Sequence, residues 1–301
     1  MKKKIFYISI ILTIIIIVSE MYLRFYWGFC DTVLVIEDAK YEYIAQPNQN
    51  RFRFRHHIYY NSYSMRSPEL NPKSLKILGL GDSVINGGTH TDQDSIATTL
   101  LSKELSEKLQ RDVQVLNISY GSWGPDNVMA YINEFGNFNA GAAFLVVSSH
   151  DAYDNMDFQK IVDKNVSFPS KQSKSAIFEL FDRYAIPRLF KKSKKNTLSE
   201  LGINKREECF NTGFEQLYNY FKVHNIPFFI YLHPERREVR NQEYNQQGEQ
   251  IIAFCKENNI PLIEGINYED LSCFRDMIHL NEKGQRTLTN VIISELNNYI
   301  Q

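Results

Sequence analysis

Signatures of metal and nucleotide chemistry are missing from this chain. It has no CxxC pair, no HExxH and no phosphate-binding glycine loop, so no cofactor and no metal is implied. Net charge is almost absent: 34 Lys and Arg balance 35 Asp and Glu, a formal charge of -1, which argues against nucleic acid as a partner. No solenoid-type repeat occurs. Cysteine is scarce, with four residues, Cys30, Cys209, Cys255 and Cys273, none close to another. An even number permits disulfides in an oxidising compartment, and buried free thiols fit the same pattern. The 301 residues suffice for one large domain or two small ones, and leave the oligomeric state open.

One long apolar run is present. "MKKKIFYISIILTIIIIVSEMYLRFYWGF" opens with Lys2, Lys3 and Lys4 and is apolar from Ile5 to Val18. That run is shorter than the roughly 20 residues of a full span, so a signal-peptide core is the alternative. No small-x-small cleavage site follows, and Cys30 has no lipobox-like context. Instead come Tyr22, Phe25, Tyr26 and Trp27, residues suited to a membrane–water interface, with Glu20 and Arg24 able to reach headgroups. The expectation is an uncleaved transmembrane helix over residues 1–29, lysines cytoplasmic, and everything after residue 30 on the periplasmic or extracellular side.

Residues 30–73 read as a connector packed on the domain that follows. Within it Arg51, Phe52, Arg53, Phe54 and Arg55 alternate, predicting a half-buried strand. Its arginines suit an anionic glycan or lipid headgroups, or a charge-protected edge. From residue 74 to 301 the pattern becomes strand–helix. Short apolar runs at 75–80, 113–119, 142–149, 227–232 and 261–264 suit parallel strands buried on both faces. Ile96, Leu100, Leu101, Leu105 and Leu109 make one helical apolar face, and Leu288, Val291, Ile292 and Leu296 another. This is an α/β sheet with helices on both sides. In such sheets ligands sit at the carboxyl ends of strands, where Ser83, Asn117 and His150 are expected. Residues 151–207 break the rhythm as a variable insertion. It reads as a helical cap, or as a surface resting on the membrane through Lys191, Lys192, Lys194 and Lys195.

The stretch "GLGDSVINGG" places Ser83 just after the first apolar run. A serine hydroxyl is a poor nucleophile until a base takes its proton and a third group orients that base. Of seven histidines, only His279 has an aspartate three residues before it, Asp276 in "RDMIHLNEKG", with Asn281 placed to cap the last helix.

"GDSVING" at 81–87, "NISYGSWG" at 117–124, "SSHD" at 148–151 and "DMIH" at 276–279 follow one another in the order of the SGNH/GDSL hydrolase blocks. Over about residues 74–300 the chain resembles that family. The resemblance implies a flavodoxin-like three-layer α/β/α sandwich with a parallel sheet of about five strands. It implies Ser83 as nucleophile, His279 as general base and then acid, and Asp276 as its orienting group. The backbone N–H of Ser83 would be one oxyanion donor. A second would come from the second block, where the family's glycine falls on Ser122, with Gly121 just before it. The third is an asparagine side chain in the family's Gly-x-Asn-Asp. Here His150 stands in its place, as substitute donor or as a structural or substrate-contacting residue. "TDQDSIATTLL" and the anchor resemble exported members of bacterial surface-polysaccharide systems. The expected activity is ester hydrolysis or O-acyl transfer through an acyl-serine, on an acylated carbohydrate or other ester. The alternative is a catalytically weak protein that binds glycan or a polysaccharide-assembly partner. His233, at a strand end without a telling carboxylate, reads as structural or substrate-contacting. His56, His57, His90 and His224 carry no signal.

Overall fold

The computed structural model describes residues 2–186 and 209–300. The chain begins with α1 (Lys2–Trp27), a single apolar helix of mean hydropathy 2.2, long enough to cross a membrane. Two antiparallel hairpins follow, β1 (Val35–Asp38) with β2 (Glu42–Ala45) and β3 (Gln49–Arg53) with β4 (His56–Tyr60). Then come β5 (Leu75–Gly81), α2 (Ser83–Asn86), α3 (Ala97–Leu109), β6 (Val113–Ser119), α4 (Pro125–Phe135) and β7 (Ala142–Ser148). After a single turn over Ser149–Ala152 come α5 (Ala176–Leu180), α6 (Gly213–Val223), β8 (Phe228–His233), α7 (Arg236–Asn241), α8 (Gln246–Asn258), β9 (Leu262–Glu264) and α9 (Glu282–Leu296).

The five expected strands make one parallel sheet in the order β6-β5-β7-β8-β9. They are apolar throughout because both faces are covered. Alternate side chains feed separate cores. Leu78, Leu80, Leu145 and Ile230 pack toward α4, α6, α8 and the hairpin residues Val35, Tyr43, Ile58 and Tyr60. Ile77, Phe144, Phe229 and Tyr231 pack toward Leu101 and Leu105 of α3 and Leu288, Ile292 and Leu296 of α9. The result is the expected three-layer α/β/α sandwich. Its order reverses at β5, which leaves a crevice at the carboxyl ends of β5, β6 and β7.

The alternating arginines behave differently from expectation. β3 ends at Arg53, and Phe54 and Arg55 form its turn at φ of +50° and +69°. Arg53 is buried, because Glu179 meets it at 2.7 Å, the Gly28 carbonyl accepts from it, and the rings of Phe29 and Phe54 each lie 4.5 Å from its guanidinium. Arg51 pairs with Asp31 at 3.3 Å. These two arginines serve the fold rather than an external anion. The tract with Lys191, Lys192, Lys194 and Lys195 lies outside the described residues. The four cysteines are free.

Candidate active site

The position of Ser83 is built by close packing. At the end of β5, Gly81 has φ +151°, and a Cβ there would meet the Val146 carbonyl oxygen at 2.4 Å, so β5 and β7 approach too closely for any side chain. Asp82 caps α2, its Oδ1 accepting from the Val84 N–H at 2.8 Å. It belongs to the local frame. Ser83 is then the first residue of a one-turn helix that ends at Gly87, φ +77°.

Across the crevice, residues 274–280 fold back on themselves through a Phe274–Leu280 bridge, and the Asn281 side chain caps α9 by accepting from the Gly284 N–H at 3.0 Å. This fold-back aims His279 at the serine. His279 Nε2 lies 3.0 Å from Ser83 Oγ, and His279 Nδ1 lies 2.8 Å from Asp276 Oδ2. The other oxygen of Asp276 accepts from the N–H groups of Ile278 and His279 at 3.0 and 2.7 Å. Partial burial would raise the Asp276 pKa, but the His279 hydrogen bond and these backbone donors hold the carboxyl well below its usual range. An ionised Asp276 fixes the tautomer: Nδ1–H donates to it, which leaves the Nε2 lone pair for the serine proton.

The three oxyanion candidates sit at the same end of the sheet. Ser119, the last residue of β6, pairs in register with Gly81, and Gly121 and Ser122 follow it. Ser122 holds φ +58°, the left-handed backbone that a glycine would adopt freely. For a serine this costs on the order of 1 kcal/mol. Tyr43 braces the turn. Its hydroxyl donates to the carbonyls of Gly121 and Ser122 at 3.1 and 3.2 Å, and Trp123 Nε1 donates back to the Tyr43 carbonyl at 2.9 Å.

In the third block Ser148 and Ser149 turn inward, Ser149 Oγ donating to Glu238 at 2.6 Å and the Ser148 N–H to Asp151 at 2.7 Å. His150 stays 32% exposed, ringed by carboxylates: Glu235 at 3.5 Å, Asp151 at 3.8 Å and Asp154 at 3.9 Å. Desolvation opposes its charge. Asp151, Glu235 and Asp154 outweigh that and raise its pKa well above the ordinary histidine value. This shift favours the charged ring, in which both nitrogens are donors. Asp82, His150 and Asp151 each offer one ligand atom within 4.8 Å of the others.

Asn117 is a correction. It lies inside β6 rather than at a strand end and is fully buried. Its amide donates to the Ile85 carbonyl at 2.9 Å and Thr98 Oγ1 at 3.0 Å, tying α2 to α3.

Three supporting residues carry no sequence signal. Arg66 is fully buried and donates to the carbonyls of Asn86, Gly88 and Thr91, gripping the turn that follows the nucleophile. Burial lowers its pKa to about 10, so it remains charged at neutral pH. Gln285 accepts from the Ala97 N–H at 2.8 Å and donates to the Val84 carbonyl at 2.9 Å, linking α9 to α2 and α3. His90, stacked on Phe54 at 4.8 Å, has its pKa lowered to about 4, by burial first and then by Arg275.

His233 proves structural. It ends β8, is fully buried, and donates from Nε2 to the Ile278 carbonyl at 2.6 Å, one residue before His279. Nδ1 meets Glu269 at 3.0 Å, and Tyr231 donates to the same carboxylate oxygen at 2.6 Å. Burial opposes the charge, but Glu269 and the Ile278 carbonyl raise the His233 pKa overall. A base whose pKa is raised on folding stabilises fully below its unfolded value of about 6.5 and loses that contribution as pH climbs through the folded value. The wild-type melting temperature is therefore expected to fall from pH 6 to pH 9 more steeply than that of His233→Gln, followed by circular dichroism. Parallel curves would remove this pair from the stability of the 276–279 loop.

No protein-family model and no curated protein matches the chain. Solved structures similar to it include a lipase/acylhydrolase from Enterococcus faecalis, at TM-score 0.43 and 11% identity over 74% of this chain and 96% of that one. They include a member of the lipolytic G-D-S-L family from Veillonella parvula, at TM-score 0.39 and 12% identity over 73% and 97%. A carbohydrate acetylesterase family member from Sinorhizobium meliloti is similar at TM-score 0.40 and 12% identity over 74% and 99%.

Proposed function

We propose that this protein is a serine esterase of the SGNH/GDSL type, working through an acyl-serine intermediate. The observation that carries this reading is the chain of contacts from Ser83 Oγ to His279 Nε2 at 3.0 Å and from His279 Nδ1 to Asp276 at 2.8 Å. His279 takes the serine proton as Oγ attacks the ester carbonyl, and Asp276 stabilises the imidazolium that forms. The tetrahedral oxyanion is received by the Ser83 and Ser122 N–H groups, with Gly121 setting the turn, and by His150. Collapse releases the alcohol, protonated by His279. A second cycle transfers the acyl group to water, or to a sugar hydroxyl in an O-acyltransferase.

His150 brings an imidazole N–H where the family's asparagine would bring a neutral amide, and the acids around it raise its pKa. His150→Ala is expected to lower kcat by roughly 10²–10³-fold. His150→Asn, which restores a neutral donor, is expected to lose less. Unchanged turnover in His150→Ala would end the oxyanion assignment.

The N-terminal helix supports a membrane anchor, with Lys2, Lys3 and Lys4 on the cytoplasmic side and the catalytic domain outside. An enzyme so placed meets acylated carbohydrate first, and we read O-acetylated surface or extracellular polysaccharide as its substrate. The testing experiment treats the full chain in detergent with a fluorophosphonate and maps the adduct by peptide mass. A single adduct on Ser83, accompanied by acetate release from p-nitrophenyl acetate, is expected. Absence of any adduct, or one on another serine, would overturn the reading.

A further inference from the structure

α1 is not joined to the domain by a loose tether. Its last turns present Ser19, Glu20, Leu23, Arg24 and Trp27 as one half-buried stripe, spaced as a single helix face. That stripe packs on α5. Glu20 accepts from the Ala176 N–H at 2.8 Å, the Ile177 N–H at 3.0 Å and Ser175 Oγ at 3.0 Å, and from Arg24 Nε at 2.7 Å. Arg24 also donates to the Lys174 carbonyl. A second carboxylate closes the joint from the other side. Glu179 of α5 is buried and receives the Cys30 N–H at 2.6 Å, Arg53 at 2.7 Å and Arg183 at 2.8 Å, while Arg53 also bonds the Gly28 carbonyl.

The depth of Glu20 constrains where α5 lies. At 1.5 Å per residue, Glu20 stands roughly 22 Å along the helix from Ile5, near the outer edge of a hydrocarbon layer about 30 Å thick and just below the interfacial residues Tyr22 to Trp27. A carboxylate at that depth is costly unless its partners come with it. Here those partners are the first N–H groups of α5, so α5 must enter the bilayer boundary. Its outward face suits that position. Phe178 of α5 and Phe181 of the helical turn that continues it through Ala185, three residues apart, are 64% and 55% exposed, and Ile186 just beyond is 46% exposed. Along the rest of α1, Ile14 to Val18, Tyr22, Phe25 and Tyr26 are exposed as well. The joint thus sets an exposed apolar face against an exposed apolar helix.

Resting on the anchor assignment above, we propose that α5 is a second membrane element, a short amphipathic helix lying in the bilayer interface. Glu20 and Glu179 clamp it to α1, so the catalytic domain is held on the bilayer in one orientation. The occupant of the Phe178–Phe181 face is the lipid around the anchor.

The test places p-benzoylphenylalanine, one position at a time, at Phe178, Phe181, Ile14 and Val223 of the full chain in lipid nanodiscs. Ile14 reports the anchor, and Val223 is an exposed apolar residue of α6. After irradiation, lipid adducts are scored by peptide mass. Adducts at 14, 178 and 181 and none at 223 are expected. Adducts at 14 alone would overturn the proposal and leave the anchor standing. No adduct at 14 would overturn the anchor, and this proposal with it. Glu20→Gln is expected to reduce the yield at 178 at least threefold with the yield at 14 unchanged. An unchanged yield at 178 would refute the clamp.

Discussion

Ser83→Ala is expected to lower p-nitrophenyl acetate turnover by about 10⁴-fold or more while leaving the melting temperature unchanged. The size of the effect follows from the geometry. Removing Oγ leaves His279 with no proton to take, and Asp276 then supports a base without a task. What survives is the oxyanion hole and substrate binding, which alone give modest acceleration over water. Stability is spared because the hydroxyl contributes little else: its other contact is Asp82 at 3.5 Å. The experiment uses the full chain in detergent, with melting followed on the same sample. A mutant within tenfold of wild type would remove Ser83 as the nucleophile.

The second large effect belongs to a residue far from the reacting atoms. Arg66→Met is expected to cost at least about 3 kcal/mol of stability, because three buried carbonyls lose a charged donor at once. For a domain of this size that is a melting-temperature loss of roughly 6–10 °C. Catalysis should suffer too. The three carbonyls belong to Asn86, Gly88 and Thr91, directly after α2, and Asn86 also accepts from Tyr60 and donates to Ser119. Loosening this web lets Ser83 drift from His279, and kcat is expected to fall roughly tenfold or more with KM little changed. Arg66→Lys keeps the charge without the fork and should fall between the two. An Arg66→Met protein as stable and active as wild type would show that the turn holds itself.

Much of the fold was legible because burial on both faces leaves a run of apolar residues. The runs at 75–80, 113–119, 142–149, 227–232 and 261–264 became β5 to β9 with ends shifted by a residue at most. The contacts joining Ser83, His279 and Asp276 were legible for a different reason. Asp276 and His279 are close in sequence, and one turn suffices to bond them. Arg66, Gln285 and Tyr43 were not legible, because a buried polar residue is recognisable only by partners the fold brings to it. Arg53 misled for the same reason. Alternation placed it outward with its neighbours, and Glu179, 126 residues later, pulled it inside. Asn117 was misplaced although the run to 119 was right: it sits two residues inside the strand, with its side chain buried rather than at the open end.

The hydrogen bond that joins Ser83 to His279 spans 196 residues. During synthesis Ser83 is made 196 residues before His279. Chains grow at about 5–20 residues per second, so for roughly ten seconds or more the hydroxyl exists without a partner. In that interval it is no more reactive than any other serine. On the proposed mechanism, activity awaits the docking of α9 against α2 and α3 through Gln285. A chain that ends before His279 then carries no base for Ser83.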